Sequence, residues 1–244
     1  MQVVMCEAYG PPDSLVVKDV ASPKPGTGQV KVRLHARGVS FSDVLRIAGT
    51  YHIKTPPPFI PGGEAAGEII DLGAGVEGLQ VGDRVLCGGG FAEETVQLAD
   101  SVVKLPDTVS YEAAAAFRSN YTTALYALQR ARLQPGETLL VHGAAGGVGL
   151  ATVDVGKLMG ARVIATARSP ERLEVCKSLG ADEVIDYSGG FRENVQSVTG
   201  GRGADVIFDP VGGDVFDESM RCIAPFGRIL IVGLGNLPDI GHIA

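Results

Sequence analysis

The sequence has 244 residues, of which 45% are hydrophobic and 20% charged, as expected for a soluble globular protein of one large or two medium domains. The net charge of −7 and the lack of any lysine- or arginine-rich block argue against a surface for nucleic acid or anionic membranes. No apolar run is long enough to span a membrane and the N-terminus does not resemble a signal peptide, so we expect a cytoplasmic protein.

The first half of the chain, residues 1 to about 120, contains short strand-like runs separated by glycine and proline turns. This pattern predicts an antiparallel, barrel-like β domain. The predicted strands cover residues 29–39, 65–73, 82–87 and 92–98. Four prolines interrupt residues 51–64, which therefore form a predicted surface loop. The alanine-rich stretch that follows, 111–131, predicts a helix in two pieces, broken around Ser119 and Asn120.

The second half alternates predicted strands with predicted helices after Pro135 and Gly136. Repeated β–helix–β spacing predicts a parallel, doubly wound α/β sheet with right-handed crossovers. The predicted strands are 138–143, 161–167, 183–186, 204–209 and 227–233, and the predicted helices are 148–159, 170–179, 190–198 and 214–224. A full dinucleotide-binding fold has six strands, so we expect this sheet to be one strand short at its C-terminal end.

A glycine-rich turn between the first strand and helix of this half is the strongest binding signal. In this setting, the turn and the helix N-terminus hold a dinucleotide pyrophosphate against backbone N–H groups. The predicted cofactor-binding residues are Ala144, Ala145, Gly146, Gly147, Val148 and Gly149. Gly146 would let the backbone approach the phosphates, and Gly149 would let the helix pack close to the strand. An ordinary βαβ turn without a ligand is the alternative.

The end of the second strand of this half indicates which cofactor binds. Sites that prefer NAD place a carboxylate on the ribose 2′-hydroxyl there. This sequence instead offers Arg168, Ser169 and Arg172, and arginine can bind a 2′-phosphate with two hydrogen bonds. NADPH is therefore favoured over NADH, unless the arginines are only solvated charges at a helix start. Tyr187 could pack near the adenosine or could be an ordinary core or surface tyrosine.

Two further glycine-containing segments follow the fourth and fifth predicted strands. Ligands of open parallel sheets bind beyond the carboxyl ends of the strands. We therefore expect Val211, Gly212, Val232 and Gly233 to line the nicotinamide pocket, with backbone groups holding the carboxamide. In the alternative interpretation these glycines only make strand-to-helix turns.

Several segments together resemble a known family. They include GVSFSDVLRIAGTY, PPPFIPGGEAAGEI, GVEGLQVGDRV, RARLQPGETLLVHGAAGGVGLA, SLGADEVIDY and GADVIFDPVGG. The chain resembles the zinc-independent medium-chain dehydrogenases/reductases of the quinone oxidoreductase type, the zeta-crystallin-like group. The resemblance implies a GroES-like catalytic domain over residues 1–122, a Rossmann domain over residues 123–244, an active site in the cleft between them, and a homodimer. It also implies a C-terminal extension, which this sequence lacks.

The resemblance also bears on metal binding. The zinc-containing relatives resemble GVC-x-x-D and GHE at the two segments that supply metal ligands. Here those positions hold Ser40 and Gly63, beside Glu64, and the four cysteines of the sequence are widely scattered. A lone carboxylate cannot supply the four or so ligands that Zn²⁺ takes, so we expect no metal.

The catalytic residues implied by the resemblance are Ser40, Tyr51, Asn120 and Thr123. Tyr51 is the best candidate to donate a hydrogen bond or proton to the developing oxyanion, although it could instead be a loop residue packed against Pro57 or Pro58. The expected activity is NADPH-dependent reduction of quinones or other conjugated carbonyls. The alternatives are an enoyl-thioester reductase acting on acryloyl- or crotonyl-CoA-like substrates and a non-catalytic NADPH-binding protein.

Overall fold

The computed structural model describes residues 1–233, and its internal contacts divide the chain into two compact units between Ser119 and Asn120. The domain boundary expected from the sequence, between residues 122 and 123, lies close to this division. In the described part of the chain, no helix has both the length and the apolar character needed to cross a bilayer.

The first unit is built on an antiparallel sheet. Its strands are β1 (Gln2–Met5), β2 (Val16–Asp19), β3 (Gln29–Arg37), β4 (Ala65–Leu72), β5 (Arg84–Cys87), β6 (Glu94–Leu98) and β7 (Val103–Lys104). Five of them form a sheet in the order β6-β3-β4-β5-β7, and β1 pairs with β2. Along β3, Val30, Val32 and Leu34 are buried while Arg33 is exposed, the alternation of a strand with one face in the core. The prediction of an antiparallel β unit is confirmed.

Three helices accompany these strands or follow them. They are α1 (Phe41–Ile47), α2 (Tyr111–Ala115) and α3 (Arg118–Arg130). The predicted division of this stretch into two helices is confirmed, but the break lies at residues 116–117 instead of at Ser119 and Asn120, which are inside α3. Glu64 Oε2 accepts the Ser119 N–H at 2.8 Å and so satisfies a first-turn donor that has no partner within the helix. This acceptor is supplied by a residue 55 positions earlier in the chain, which local sequence preference does not reveal.

The second unit contains a five-stranded parallel sheet with helices between its strands. Its elements are β8 (Thr138–Val141), α4 (Gly147–Leu158), β9 (Arg162–Ala167), α5 (Pro170–Ser178), β10 (Glu183–Asp186), α6 (Arg192–Val198), β11 (Ala204–Asp209), α7 (Asp214–Ser219) and β12 (Ile223–Ile231). The strand order is β10-β9-β8-β11-β12, with all neighbours parallel. The order reverses between β8 and β11, which is where open sheets of this kind bind ligands.

Alternate residues of the central strands face two separate hydrophobic cores. Leu139 and Val141 of β8 pack in a core with residues of α3 and α4, whereas Leu140 packs in a second core with residues of α6 and α7. Helices therefore cover both faces of the sheet, and the predicted doubly wound architecture is confirmed.

The end of the described sheet differs from the prediction. β12 begins at Ile223 instead of residue 227, and α7 ends at Ser219 instead of residue 224. Pro225 cannot donate a strand hydrogen bond, Phe226 has φ +62°, and the register of β12 against β11 shifts once. These irregularities interrupt the sequence pattern of a strand and explain why its start is misplaced.

All four cysteines are buried free thiols. Burial raises the pKa of Cys87 to about 12 and that of Cys222 to about 11. Burial also raises the thiol pKa of Cys6 and Cys176 above the ordinary value. None of these groups lies near a second cysteine in sequence, and their common property is removal from water.

Candidate functional site

The glycine-rich turn lies at the point where the strand order reverses. β8 ends at Val141, two residues before the predicted end, and the chain turns through Gly143, which has φ +57°. The turn is held by hydrogen bonds from the Ala144 N–H to the Thr166 carbonyl at 3.1 Å and from the Gly146 N–H to the Gly143 carbonyl at 2.9 Å. The helix α4 then begins at Gly147, one residue earlier than predicted.

Two glycines of α4 allow close backbone packing. A Cβ atom on Gly149 would lie 2.3 Å from the Gly143 carbonyl oxygen and 2.7 Å from Ala144 Cα. Gly149 therefore lets α4 lie close to the turn, because any side chain at this residue would clash with the turn backbone. The close approach of helix to strand is made further along, at Gly156, where a Cβ would lie 2.6 Å from Leu139 Cδ2. Gly156 was not predicted from the sequence, although a glycine in the middle of a predicted helix indicates a close packing contact.

The N-terminus of α4 has the features of an anion site. The N-cap residue is Gly146, which has no side chain to cap the helix, and the first turn contains no acidic residue. First-turn N–H groups lack partners within the helix, and the helix dipole favours negative charge there. The side-chain amide of Asn120 lies beside this turn, 2.9 Å from the position that a Cβ on Gly147 would take. Thr123, on the same helix as Asn120, is half-buried.

Two more segments converge on the turn at the carboxyl edge of the sheet. A Cβ on Gly143 would lie 3.4 Å from the side chain of Pro210 and 3.7 Å from that of Val211. Gly233 approaches the Pro210 carbonyl oxygen, to which an added Cβ would be 3.0 Å. The structure thus brings the glycine turn together with the predicted segments around residues 211–212 and 232–233.

Asp209, the last residue of β11, organises these segments and was not predicted from the sequence. Its side chain is fully buried, and Oδ1 accepts the N–H groups of Val211 at 2.8 Å and Gly212 at 2.9 Å. Its main-chain carbonyl accepts the Val232 N–H at 2.9 Å. Within residues 1–233, Oδ2 has no hydrogen-bond partner. An aspartate that ends a buried strand is a signal that the sequence did contain.

The predicted 2′-phosphate residues lie at the end of β9. The exposed Arg168 guanidinium stacks over the Tyr187 ring, with 4.9 Å from its central carbon to the ring centre. Ser169 is the N-cap of α5 and its hydroxyl oxygen accepts the Arg172 N–H at 3.4 Å. The structure therefore brings Arg168 and Tyr187 together and gives Ser169 a capping role.

His142 is a packed core residue. It is buried beside Phe191, with Nδ1 3.0 Å from the Thr166 hydroxyl and Nε2 2.9 Å from the Ser219 hydroxyl. Because Ser219 donates its own proton to the Val215 carbonyl, Nε2 carries the ring hydrogen and Nδ1 accepts from Thr166. Burial lowers the pKa of His142 to about 4, against the opposing effect of nearby acidic groups.

In the first unit, Ser40 belongs to a hydrogen-bonded group at the start of α1. Its hydroxyl donates to Asp43 Oδ2 at 3.0 Å and lies 2.7 Å from the Ser42 hydroxyl, while its N–H donates to the same Asp43 oxygen at 2.9 Å. Asp43 is buried. The hydroxyl hydrogen of Ser40 is therefore used within the protein.

Tyr51 lies after α1 in the predicted loop. Its ring contacts are with Arg46, whose guanidinium is 4.9 Å from the ring centre, and with the His52 ring, at a centroid distance of 4.2 Å. Among the described residues, its hydroxyl makes no hydrogen bond. A phenol O–H in this state can donate to a ligand. The predicted alternative, packing against Pro57 or Pro58, stays a prediction.

The residues at the metal-ligand positions do not fit a zinc ion. The Ser40 hydroxyl is bonded to Asp43, Gly63 offers no side chain, and Glu64 uses Oε2 to accept the Ser119 N–H. Burial is the main cause that raises the pKa of Glu64. No group of three or more His, Cys, Asp or Glu side chains able to hold a metal occurs among the described residues. Zinc needs about four such ligands.

An antiparallel β unit followed by a doubly wound parallel unit with a glycine turn is the arrangement of the medium-chain dehydrogenases/reductases. Residues 26–107 match the alcohol dehydrogenase GroES-like domain, and residues 147–241 match the zinc-binding dehydrogenase family. These matches confirm the GroES-like and Rossmann-type units expected from the sequence.

Similar proteins of known sequence or structure indicate which group of this family the chain belongs to. The chain is 43% identical to quinone oxidoreductase-like protein 2 homolog of Nematostella vectensis over 98% of its length, and spans 67% of that protein. The structure of the Thermus thermophilus quinone oxidoreductase, studied also with NADPH, matches 94% of this chain and 72% of that one, with TM-score 0.83 and 35% identity. An NAD-dependent alcohol dehydrogenase structure matches with TM-score 0.91 at 32% identity, covering 100% of this chain and 81% of its own. The chain belongs to the medium-chain dehydrogenase/reductase superfamily as a quinone oxidoreductase-like protein.

Proposed function

We propose that this chain is an NADPH-dependent reductase that transfers a hydride to quinones or other conjugated carbonyl compounds without zinc. The observation that carries the proposal is the convergence of the glycine turn, Val211 and Gly233 at the carboxyl edge of the parallel sheet. This is the place where such sheets bind dinucleotides. The name of the Thermus relative and its complex with NADPH support the same assignment.

The choice of NADPH rests on the end of β9. Arg168 is exposed and held over Tyr187, and no carboxylate occupies residues 166–170 to bind a ribose 2′-hydroxyl. The guanidinium would bind the 2′-phosphate, whose charge it complements. The Tyr187 ring fixes the arginine and would lie near the adenosine. One structural neighbour is an NAD-dependent alcohol dehydrogenase, so the cofactor preference is the point to test first.

Arg168→Ala is expected to weaken NADPH binding by about ten- to a hundredfold and to leave NADH binding unchanged, because a charged hydrogen bond contributes about 1.5–3 kcal/mol. Fluorescence titration with each cofactor measures both dissociation constants. Lys177→Ala is the matched control, since it removes one positive charge from the far end of α5. Equal weakening of NADPH and NADH by Arg168→Ala, or tighter binding of NADH by the wild type, contradicts the NADPH assignment.

The protein contributes orientation and a hydrogen-bond donor to the reaction. NADPH, when bound, supplies the hydride. Ser40 donates to Asp43, so the Tyr51 hydroxyl is the donor that we assign to the oxyanion of the reduced acceptor. Arg46 and His52, which lie in the same unit as Tyr51, contact its ring and fix its position. Asn120 and Thr123 are proposed, from the resemblance alone, to complete the site.

Tyr51→Phe is expected to lower kcat about a hundredfold while the Kd for NADPH stays unchanged, since only the donor to the developing charge is lost. Steady-state kinetics with a quinone acceptor and a parallel NADPH titration test this. Tyr126→Phe, which alters an exposed tyrosine, serves as the control. A normal kcat for Tyr51→Phe would remove Tyr51 from the mechanism.

The acceptor class is tested by comparing kcat/KM for a panel of quinones, simple enones and enoyl-CoA esters, with NADPH oxidation followed by absorbance. Highest values for quinones or enones support the proposal. A preference for enoyl-CoA esters assigns the chain as an enoyl-thioester reductase. Background rates together with intact NADPH binding assign a non-catalytic NADPH-binding protein.

A further inference from the structure

Asp209 is bonded to both segments that we propose to line the nicotinamide end of the cofactor. Its side chain accepts two N–H groups from Val211 and Gly212, and its main chain accepts one from Val232. It is fully buried and ends β11, the strand next to the one that carries the glycine turn. No other described residue bonds to both segments.

The direction of these hydrogen bonds sets the direction of the neighbouring carbonyls. A trans peptide is planar, with its N–H and C=O pointing in opposite directions. Because the N–H groups of Val211 and Gly212 point at Asp209, the carbonyls of Pro210 and Val211 point away from it. The Pro210 carbonyl faces Gly233. The Val211 carbonyl accepts no hydrogen bond from the described residues.

The burial of the Asp209 carboxylate is expected to lower the stability of the folded protein, so stability does not explain why it is there. Oδ2 has no partner in the described part of the chain, although an unpaired buried polar atom is unfavourable. Asp205, at the other end of the same strand, makes a useful comparison. Its Oδ2 accepts the Thr138 N–H at 2.9 Å and its Oδ1 pairs with Arg202 at 2.6 Å, so both oxygens are satisfied. Asp205 has the pattern of a structural carboxylate, and Asp209 does not.

We propose that Asp209 is a positioning residue that turns the Val211 carbonyl toward the nicotinamide half of bound NADPH. That half carries hydrogen-bond donors, the carboxamide NH₂ and the ribose hydroxyls, which need acceptors at this edge of the sheet. The inference rests on the proposed function, because it presumes that NADPH binds here. The sequence predicted only that backbone groups hold the carboxamide; the N–H groups of residues 211 and 212 are used internally, so the loop offers a carbonyl.

An isosteric pair of variants separates this role from a loss of packing. Thr and Val have the same shape, but only the Thr hydroxyl can accept an N–H two residues further on. We expect Asp209→Val to bind NADPH at least tenfold more weakly than Asp209→Thr, measured by fluorescence titration. Asp205→Thr and Asp205→Val are the matched controls. We expect them to differ in melting temperature and to share one Kd within twofold.

The wild type gives a second readout that needs no variant. On NADPH binding, the carbonyl carbon resonance of Val211 is expected to move downfield, and the Gly212 N–H is expected to stay protected from exchange. A wild type that does not bind NADPH overturns the proposed function and this inference with it. Wild-type binding with equal Kd values for Asp209→Thr and Asp209→Val, or an unmoved Val211 resonance, overturns the inference alone.

Discussion

Gly149→Ala is expected to abolish NADPH binding and to lower the free energy of unfolding of the second unit by about 3 kcal/mol. Alanine has a higher helix propensity than glycine, so propensity alone would predict a gain in stability. The loss comes from contact: the new Cβ would lie 2.3 Å from the Gly143 carbonyl oxygen, and its next neighbours are backbone atoms of Ala144. Backbone cannot rotate away as a side chain can, so the turn itself must move.

Two glycine variants calibrate this result, with denaturant unfolding and NADPH titration as the measurements. Gly189→Ala adds a Cβ into open space and is expected to change neither quantity. In Gly146→Ala the Cβ would meet only the Gly143 carbonyl, at 3.3 Å, so we expect a stability change within about 1 kcal/mol. Its NADPH affinity is still expected to fall at least tenfold, because the Cβ takes space that the phosphates need. Native affinity in Gly149→Ala would show that the turn does not hold the cofactor.

Acidification is expected to destabilise the protein through His142 by about 3 kcal/mol as the pH falls from about 6.5 to 4. Burial lowers the folded-state pKa to about 4, whereas an unfolded histidine titrates near 6.5. Between these values the unfolded chain binds the proton and the folded chain does not. The stability is therefore complete above the unfolded pKa and is lost as the pH falls toward the folded one.

His142→Gln isolates this contribution because glutamine does not titrate but can still donate to Ser219 or accept from Thr166. Unfolding free energies of the two proteins, measured from pH 7.5 to pH 4, are expected to converge on acidification as the wild type loses its advantage. Carboxylates that are stabilised in the fold affect both proteins alike and cancel in the difference. Parallel curves over the whole range would refute the assignment of a neutral, buried histidine.

The sequence carried enough information for the architecture because its patterns are local. Alternation at Val30, Val32 and Leu34 marks a half-buried strand, and apolar strands spaced by helices mark a parallel sheet. The start of β12 could not be placed, since Pro225 and the positive φ of Phe226 break the pattern inside a strand that persists through pairing with β11. That pairing is a tertiary effect which propensity does not contain.

In the candidate site, too, the features set by local sequence were predictable and those set by tertiary contacts were not. The glycine turn was identified from spacing, and the structure brings Val211 next to this turn and Gly233 next to the neighbouring Pro210. The hydrogen-bonding roles of two carboxylates were not predicted, because backbone geometry sets their partners. Asp209 accepts N–H groups of its own loop, and Glu64 accepts the N–H of Ser119, 55 residues further along the chain. A sequence shows that a carboxylate is present, but it does not show which N–H group will donate a hydrogen bond to it.

The burial of every cysteine has a consequence for an enzyme that handles quinones or enones. These compounds are electrophiles that alkylate thiolates, and the thiolate is the reactive form of cysteine. Cys6, Cys87, Cys176 and Cys222 are all buried, and desolvation keeps each pKa above its ordinary value, so that the thiols stay protonated. The chain therefore presents no exposed thiolate to such electrophiles.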